Sequence, residues 1–191
     1  MISSILLAAG QSKRMGGENK LTKKINGIPL INYSVKNILN SSINDLIIVL
    51  GYQKEIVKKF IEKDKKIKFV FNKDFESGIA SSIKVGMSHL PKNADAFFIC
   101  LGDMPMVNKN IYNQIINSKN DKEIIVPTYK GQKGNPVLFS KLMKEKIMSI
   151  EGDLGAKKII EINKSKVLNL EINDKTITKD FNTLNNFDSL S

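Results

Sequence analysis

Several residue types are almost missing from this chain of 191 residues, and their scarcity excludes whole classes of site. The chain has one cysteine, one histidine and no tryptophan. A single cysteine, Cys100, cannot form an internal disulfide, and with His89 it offers too few ligands for an ordinary zinc site. We therefore expect a reducing environment and predict a cytoplasmic location.

Long hydrophobic runs are also missing. No stretch approaches the roughly 20 apolar residues that a membrane-spanning helix needs. The opening "MISSILLAAG" has no basic segment before its short apolar run, so we expect a first strand and no secretory signal peptide. We find no linker, repeat or low-complexity segment, and we predict one domain over residues 1–191 with no membrane partner.

The net charge of +11 is carried almost entirely by lysine. The lysines are dispersed, and the densest block, "KKFIEKDKKIKF" at 58–69, mixes both signs as a solvated helix face does. Aromatic residues do not alternate with the basic ones as they do in single-stranded nucleic-acid sites. We predict no nucleic-acid partner, although the excess charge favours a polyanionic small ligand.

Strand-like and helix-like segments alternate along the chain, which predicts an α/β domain with three layers and a mostly parallel sheet. The later strands lie closer together and predict an antiparallel addition. The predicted strands are 2–9, 45–51, 67–71, 95–103, 123–127, 135–140 and 166–172. The predicted helices are 29–41, 53–63, 77–90, 108–118, 141–149 and 155–162.

Ligands of open α/β sheets bind beyond the carboxyl ends of the strands. Four polar or glycine-containing segments follow predicted strands and should share one rim: 10–20, 51–53, 72–78 and 102–105.

The first of these segments, "GQSKRMGGENK", is neither a Walker A motif nor a dinucleotide fingerprint. Its glycines nevertheless let backbone N–H groups approach anionic oxygens, and its lysines supply positive charge. It also holds Arg14, the only arginine of the chain. Planar, bidentate contact with phosphate is a task that arginine performs better than lysine. The loop is therefore predicted to bind a triphosphate.

Asp103 follows the apolar strand that should lie at the centre of the sheet. Mg²⁺ prefers oxygen ligands and takes only one or two carboxylates from a protein, so Asp103 is a candidate ligand. Asp180 or Asn182 could supply a second oxygen. A phosphate-monoester acceptor is already largely ionised at neutral pH, so no general base is required.

Six segments of the sequence form a set of motifs: "LAAGQSKRMGGENKL", "NKDFESGIASSI", "LGDMP", "GQKGNPVLF", "GDLGAKKII" and "DFNT". These motifs resemble those of the MobA-like nucleotidyltransferases, and most closely those of the molybdenum cofactor cytidylyltransferase branch. The resemblance implies a Rossmann-like nucleotidyltransferase fold and the transfer of CMP from CTP to the phosphate of a molybdopterin-type cofactor.

The resemblance also implies roles for individual residues. Catalytic roles fall on Arg14, Lys20 and Asp103, and metal binding on Asp103 and Asn182. The residues implied to bind nucleotide or pterin are Leu7, Ala8, Ala9, Gly10, Ser12, Gly16, Asn72, Gly78, Ser82, Gly134, Asn135, Pro136 and Asp153.

Ala9 bears on the choice of nucleotide. Within the resembling families, L-A-A-G accompanies CTP and L-A-G-G accompanies GTP, and the Cβ of alanine would crowd a purine. The expected substrates are thus CTP with Mg²⁺ and the molybdopterin cofactor. Three alternatives stay open: a GTP-specific enzyme, one that uses a sugar or alcohol phosphate, and a carrier that delivers cofactor to an apo-molybdoenzyme.

Overall fold

The computed structural model describes residues 1–12, 18–153 and 155–181. Strands in these residues are β1 (Ile2–Ala8), β2 (Lys24–Ile25), β3 (Ile28–Pro29), β4 (Asp45–Leu50), β5 (Ile67–Phe71), β6 (Ala96–Leu101), β7 (Ile124–Tyr129), β8 (Gln132–Lys133), β9 (Val137–Ser140) and β10 (Val167–Glu171). The α-helices are α1 (Leu30–Leu39), α2 (Lys54–Phe60), α3 (Ile79–Ser88), α4 (Lys109–Asn117), α5 (Lys144–Met148) and α6 (Lys157–Ile162).

The main sheet has eight strands in the order β10-β7-β9-β6-β1-β4-β5, with β8 paired to β7. Neighbouring strands from β6 to β5 run parallel, and so do β7 and β10. Strand β9 lies antiparallel between β6 and β7, and β8 is antiparallel to β7. This confirms the predicted mostly parallel sheet with an antiparallel addition.

Helices cover both faces of this sheet, and β1 shows how the sequence achieves it. Leu6 and Ala8 belong to a buried cluster that also contains residues of α1, α2 and α4. Ile5 and Leu7 belong to a second cluster with residues of α3, α5 and α6. Successive side chains of a strand point to opposite faces, so an uninterrupted apolar run builds two cores.

The four adjacent parallel strands β6, β1, β4 and β5 end at one edge of the sheet. Ala8 pairs with Leu50, Leu50 with Phe71, and Leu7 with Leu101. The segments that follow these strands therefore begin side by side, as predicted for the shared rim. None of the helices in the described residues has both the length and the apolar character that spanning a bilayer requires.

Candidate functional site

A cleft of about 470 Å³ opens at the carboxyl ends of β1 and β6. Many of the predicted residues line it: Leu7, Ala8, Ala9, Gly10, Ser12, Lys20, Gly78, Ser82, Asp103 and Asp153. Lining residues that the sequence interpretation did not single out are Gln11, Leu21, Phe75, Glu76, Ile79 and Leu101. Asp180 lines the cleft as well. A cleft of this size is suited to a small-molecule ligand.

The described ends of the first loop are tied together. The Ser12 hydroxyl accepts a hydrogen bond from the backbone N–H of Lys20 at 3.1 Å. Ser12 adopts a left-handed conformation with φ of 53°, which turns the chain after β1. Lys20 begins a 3₁₀ turn that is capped by the buried Asn19, whose side chain accepts from the Leu21 N–H. The backbone of Lys20 is therefore held on both sides.

The side chain of Lys20 crosses to Asp103. Its Nζ lies 2.5 Å from Asp103 Oδ2, and both side chains are only 16% exposed. The backbone carbonyl of Asp103 accepts a hydrogen bond from the Phe181 N–H at 2.9 Å. This bond brings the closing segment back to the end of β6, so that Asp180 faces the same cleft as Asp103.

The described lining of the cleft is acidic, although the chain as a whole is strongly basic. Its lining includes four carboxylates, from Glu76, Asp103, Asp153 and Asp180. Among the described lining residues there is one lysine, Lys20. A triphosphate would meet repulsion from these carboxylates, and a divalent cation would remove it.

The donor set of the cleft fits a hard cation such as Mg²⁺. Asp103 and Asp180 offer carboxylate oxygens, which are the ligands that Mg²⁺ and Mn²⁺ prefer. No group of three or more Asp, Glu, His or Cys residues suited to a metal occurs in residues 1–12, 18–153 and 155–181. Mg²⁺ sites commonly use one or two protein carboxylates and complete their shell with water and substrate phosphates.

The amino terminus of α3 forms the opposite wall of the cleft and is held by a distant loop. Asp153 Oδ1 accepts from the Ile79 N–H at 3.2 Å, and the Gly152 carbonyl accepts from the Ala80 N–H at 3.0 Å. The loop can approach this closely because residue 78 is glycine, since a Cβ there would lie 2.6 Å from Asp153 Oδ1. The loop at residues 152–153 is thus physically connected to the cleft.

Asn72 does not line the cleft. It is 1% exposed, and its amide donates to the hydroxyls of Ser81 at 2.8 Å and Ser82 at 3.0 Å. Its side-chain oxygen accepts from the Asp74 N–H. The side chain therefore joins β5 to α3 and positions Ser82, which lines the cleft. The nucleotide-binding role of Asn72 remains a prediction.

The segment Gly134–Asn135–Pro136 also lies outside the cleft lining. The Asn135 N–H donates to the Ile177 carbonyl at 2.8 Å, and a Cβ on Gly134 would lie 2.5 Å from the same oxygen. Glycine is therefore required for the close approach of these two backbones. The contact supports the 3₁₀ turn Lys175–Thr178, which leads directly into Asp180.

Three residues with predicted roles, Arg14, Gly16 and Asn182, lie outside the described residues. Their assignments remain predictions.

Two residues that the sequence interpretation missed bridge the cleft. Gln11 Nε2 donates to Glu76 Oε1 at 2.7 Å, which links the first loop to the segment before α3. Gln11 occupies the variable position of the family signature, and Glu76 lies between two matched positions. Their role depends on spatial proximity, and no pattern in the sequence signals it.

Cys100 and His89 are not among the residues that line the cleft. Cys100 is buried in β6 against Ser4, and burial raises the pKa of its thiol to about 12. A thiol with so high a pKa is not a nucleophile at neutral pH. His89 follows the carboxyl end of α3, and its Nδ1 lies 2.9 Å from the Val85 carbonyl oxygen.

Comparison with solved structures supports the fold. The crystal structure of Rv0371c from Mycobacterium tuberculosis H37Rv superposes with a TM-score of 0.88 at 24% identity, covering 99% of this chain and 96% of that one. A structure of Rv0371C described as a complex with manganese matches with a TM-score of 0.83 at 22% identity, over 99% and 97% of the two chains.

Sequence relatives carry several different names. The bifunctional protein GlmU of Thermosipho africanus is 30% identical over 85% of this chain, which spans only 36% of that protein. The molybdenum cofactor cytidylyltransferase of Escherichia coli is 29% identical over 73% of this chain and 70% of its own length. A probable molybdenum cofactor guanylyltransferase of Thermococcus sibiricus is 33% identical over 68% and 62% of the two chains.

The family model described as the MobA-like NTP transferase domain matches residues 4–168. This range contains the first loop, Lys20, the amino terminus of α3 and Asp103, which are the elements that build the cleft. The chain therefore belongs to the MobA-like family of nucleotidyltransferases.

Proposed function

We propose that this protein transfers CMP from CTP to the phosphate of a molybdopterin-type molybdenum cofactor in the presence of Mg²⁺, with release of pyrophosphate. The observation that carries the proposal is the pairing of Lys20 with Asp103 in an acidic cleft at the carboxyl ends of the strands. The similarity to a molybdenum cofactor cytidylyltransferase supports the choice of acceptor.

In this mechanism the chain acts mainly by binding and orienting its substrates. Gly10 and Ser12 follow β1 and hold the phosphates through the first loop, and Lys20 neutralises charge on the phosphates. Asp103 and Asp180 would hold Mg²⁺, which would supply positive charge to offset the negative charge of the phosphates. The acceptor phosphate attacks as an anion, so no side chain has to remove a proton.

The acceptor would approach from the loop around Asp153. Lys157 and Lys158 begin α6 shortly after this loop, and Lys130 and Lys133 lie at the β7–β8 hairpin. All four are exposed and would favour an anionic pterin phosphate. The hydrogen bond of Asp153 with the Ile79 N–H keeps this side of the cleft in contact with the nucleotide side. In this proposal the protein is a single cytoplasmic domain that transfers its product to an apo-molybdoenzyme.

Ala9 is the residue on which we base the preference for CTP. A Cβ on Gly51 would lie 2.7 Å from the Cβ atoms of both Ala9 and Phe75, so the Ala9 methyl packs closely where β4 ends. Replacing Ala9 with glycine opens this space beside the cleft. A difference of one methyl group in a binding pocket is worth about 1–3 kcal/mol.

We therefore expect Ala9→Gly to reduce the preference for CTP over GTP by about tenfold. The measurement is kcat/KM for each nucleotide. Ala96→Gly removes the same methyl group from β6, where Ala96 lies in the core that contains α1 and outside the cleft lining, and it should lower stability without changing the ratio. An unchanged ratio in Ala9→Gly would remove Ala9 from nucleotide selection.

A second acceptor class has support in the similarity to GlmU, which covers more of this chain than the cytidylyltransferase does. In that alternative the same cleft transfers a nucleotide to a sugar or alcohol phosphate. The nucleotide side of the site is unchanged, and only the region near Asp153 would differ in function.

The deciding experiment measures pyrophosphate release with Mg²⁺, using CTP, GTP or ATP with either the molybdopterin cofactor or a panel of sugar and alcohol phosphates. We expect turnover with CTP and the cofactor, and loss of that turnover in Lys20→Ala. Turnover only with GTP would contradict the role of Ala9. Turnover only with a sugar or alcohol phosphate would overturn the acceptor while leaving the chemistry in place.

A further inference from the structure

We infer that the Lys20 ammonium acts as the counter-ion of Asp103. A divalent metal then binds this carboxylate only after a bound triphosphate has moved the ammonium away from it. The inference rests on the proposed function for the assignment of Lys20 to phosphate and of Asp103 to metal. It adds an order of binding that follows from the observed ion pair.

The geometry makes Lys20 and a metal ion competitors. Lys20 Nζ lies 2.5 Å from Asp103 Oδ2, in contact with one of the two oxygens that a metal could use. An ammonium and a divalent cation repel each other, and this repulsion is poorly screened because both side chains are 84% removed from solvent. Metal binding at Asp103 therefore requires that the ammonium leaves.

The side chain can leave without disturbing the fold. The backbone of Lys20 is held by the Ser12 hydroxyl and by the capped 3₁₀ turn, so only the four-carbon stem has to rotate. The phosphates of a nucleotide bound along the first loop offer the ammonium several anionic oxygens in place of one carboxylate. The nucleotide thus releases Asp103 as it binds.

Other carboxylates of the lining already have partners of their own. Glu76 accepts from Gln11, and Asp153 accepts from the Ile79 N–H. Lys20 is in direct contact with Asp103, so its ammonium offsets the charge of this carboxylate. Because coupling between two ligands is reciprocal, metal and triphosphate should each strengthen the binding of the other through this residue.

The test is a titration of the protein with Mn²⁺ in the absence of nucleotide. Binding is measured by calorimetry or from the electron paramagnetic resonance signal of free Mn²⁺. Lys20→Met should bind Mn²⁺ about tenfold more tightly than the wild type, because Asp103 is then available. Lys20→Arg keeps the cation and should bind as weakly as the wild type. Lys23→Met removes the same charge from a lysine that pairs with Glu18, and it should leave the affinity unchanged.

Two results would overturn the inference. One is a folded Lys20→Met protein that binds Mn²⁺ no more tightly than the wild type. The other is an equal gain in Lys23→Met, which would indicate a general effect of net charge.

A reciprocal measurement does not depend on Lys20→Met folding. In EDTA, Asp103→Asn should bind CTP or GTP several-fold more tightly than the wild type, because the Lys20 ammonium no longer has the Asp103 carboxylate as a competing anionic partner. Asp153→Asn removes a carboxylate from the same cleft without releasing Lys20 and should give a smaller gain; equal gains would overturn the inference. Failure of both nucleotides to bind would count against the proposed function, whereas the Mn²⁺ titration would still decide the role of Lys20.

Discussion

Asp103→Asn is expected to lower kcat for nucleotidyl transfer by about 10²–10³-fold, the range observed when one group that stabilises a transition state is removed. Asp103 follows β6 in the middle of the sheet, and its backbone carbonyl is bonded to Phe181. Asparagine has nearly the same shape, so the fold should survive. It replaces an anionic oxygen ligand with a neutral one, which binds Mg²⁺ more weakly.

The measurement is kcat as a function of Mg²⁺ and Mn²⁺ concentration, with thermal unfolding to establish that the variant is folded. Asp121→Asn removes a charge from an exposed residue outside the cleft lining and should leave kcat unchanged. Asp180→Asn, measured in the same way, tests the other carboxylate that we propose as a Mg²⁺ ligand. Wild-type activity in Asp103→Asn would exclude this residue as a metal ligand.

Gly78→Ala is expected to lower the free energy of unfolding by about 2–4 kcal/mol and to raise the KM of the acceptor. Gly78 has φ of 105°, a conformation that residues with a Cβ rarely adopt. A Cβ there would also lie 2.6 Å from Asp153 Oδ1 and 2.7 Å from the Gly152 carbonyl oxygen. The loop that holds α3 would therefore have to move away from the cleft.

Gly27→Ala is the matched control for this change. Gly27 has φ of 78°, but a Cβ there would meet nothing within 4 Å. Gly27→Ala should therefore lower the free energy of unfolding only by the backbone term, about 1 kcal/mol, and should leave the KM of the acceptor unchanged. Urea unfolding and steady-state kinetics of both variants measure the two effects. Equal losses of stability and equal KM values would indicate that the contact with Asp153 has no functional role.

Most of the fold could be predicted because it depends on local patterns. Apolar runs such as residues 95–103, alternating with amphipathic helices, specify a sheet covered on both sides, and the structure has that arrangement. The predicted helix 53–63 proved shorter, since α2 ends at Phe60. The β2–β3 ribbon was missed, although its Asn26–Gly27 turn, with both φ angles positive, is a known hairpin signal.

Part of the site could also be predicted, because parallel strands bring the residues after them to one edge. Lys20 and Asp103 are 83 residues apart in sequence, yet both face the cleft for this reason. The motif matches selected them, and the order of strands in the sheet makes them neighbours.

The sequence by itself determined the class of fold, the edge of the sheet that carries the cleft, and the family to which the chain belongs. Only the tertiary structure decided which motif residues face the cleft and which support it. Asn72 and Gly134 belong to matched motifs, but the former binds the hydroxyls of α3 and the latter packs on Ile177. The ion pair of Lys20 with Asp103 and the cap of α3 by Asp153 are likewise tertiary contacts. Local periodicity specifies secondary structure and burial, whereas the partner of a polar side chain depends on how distant segments pack.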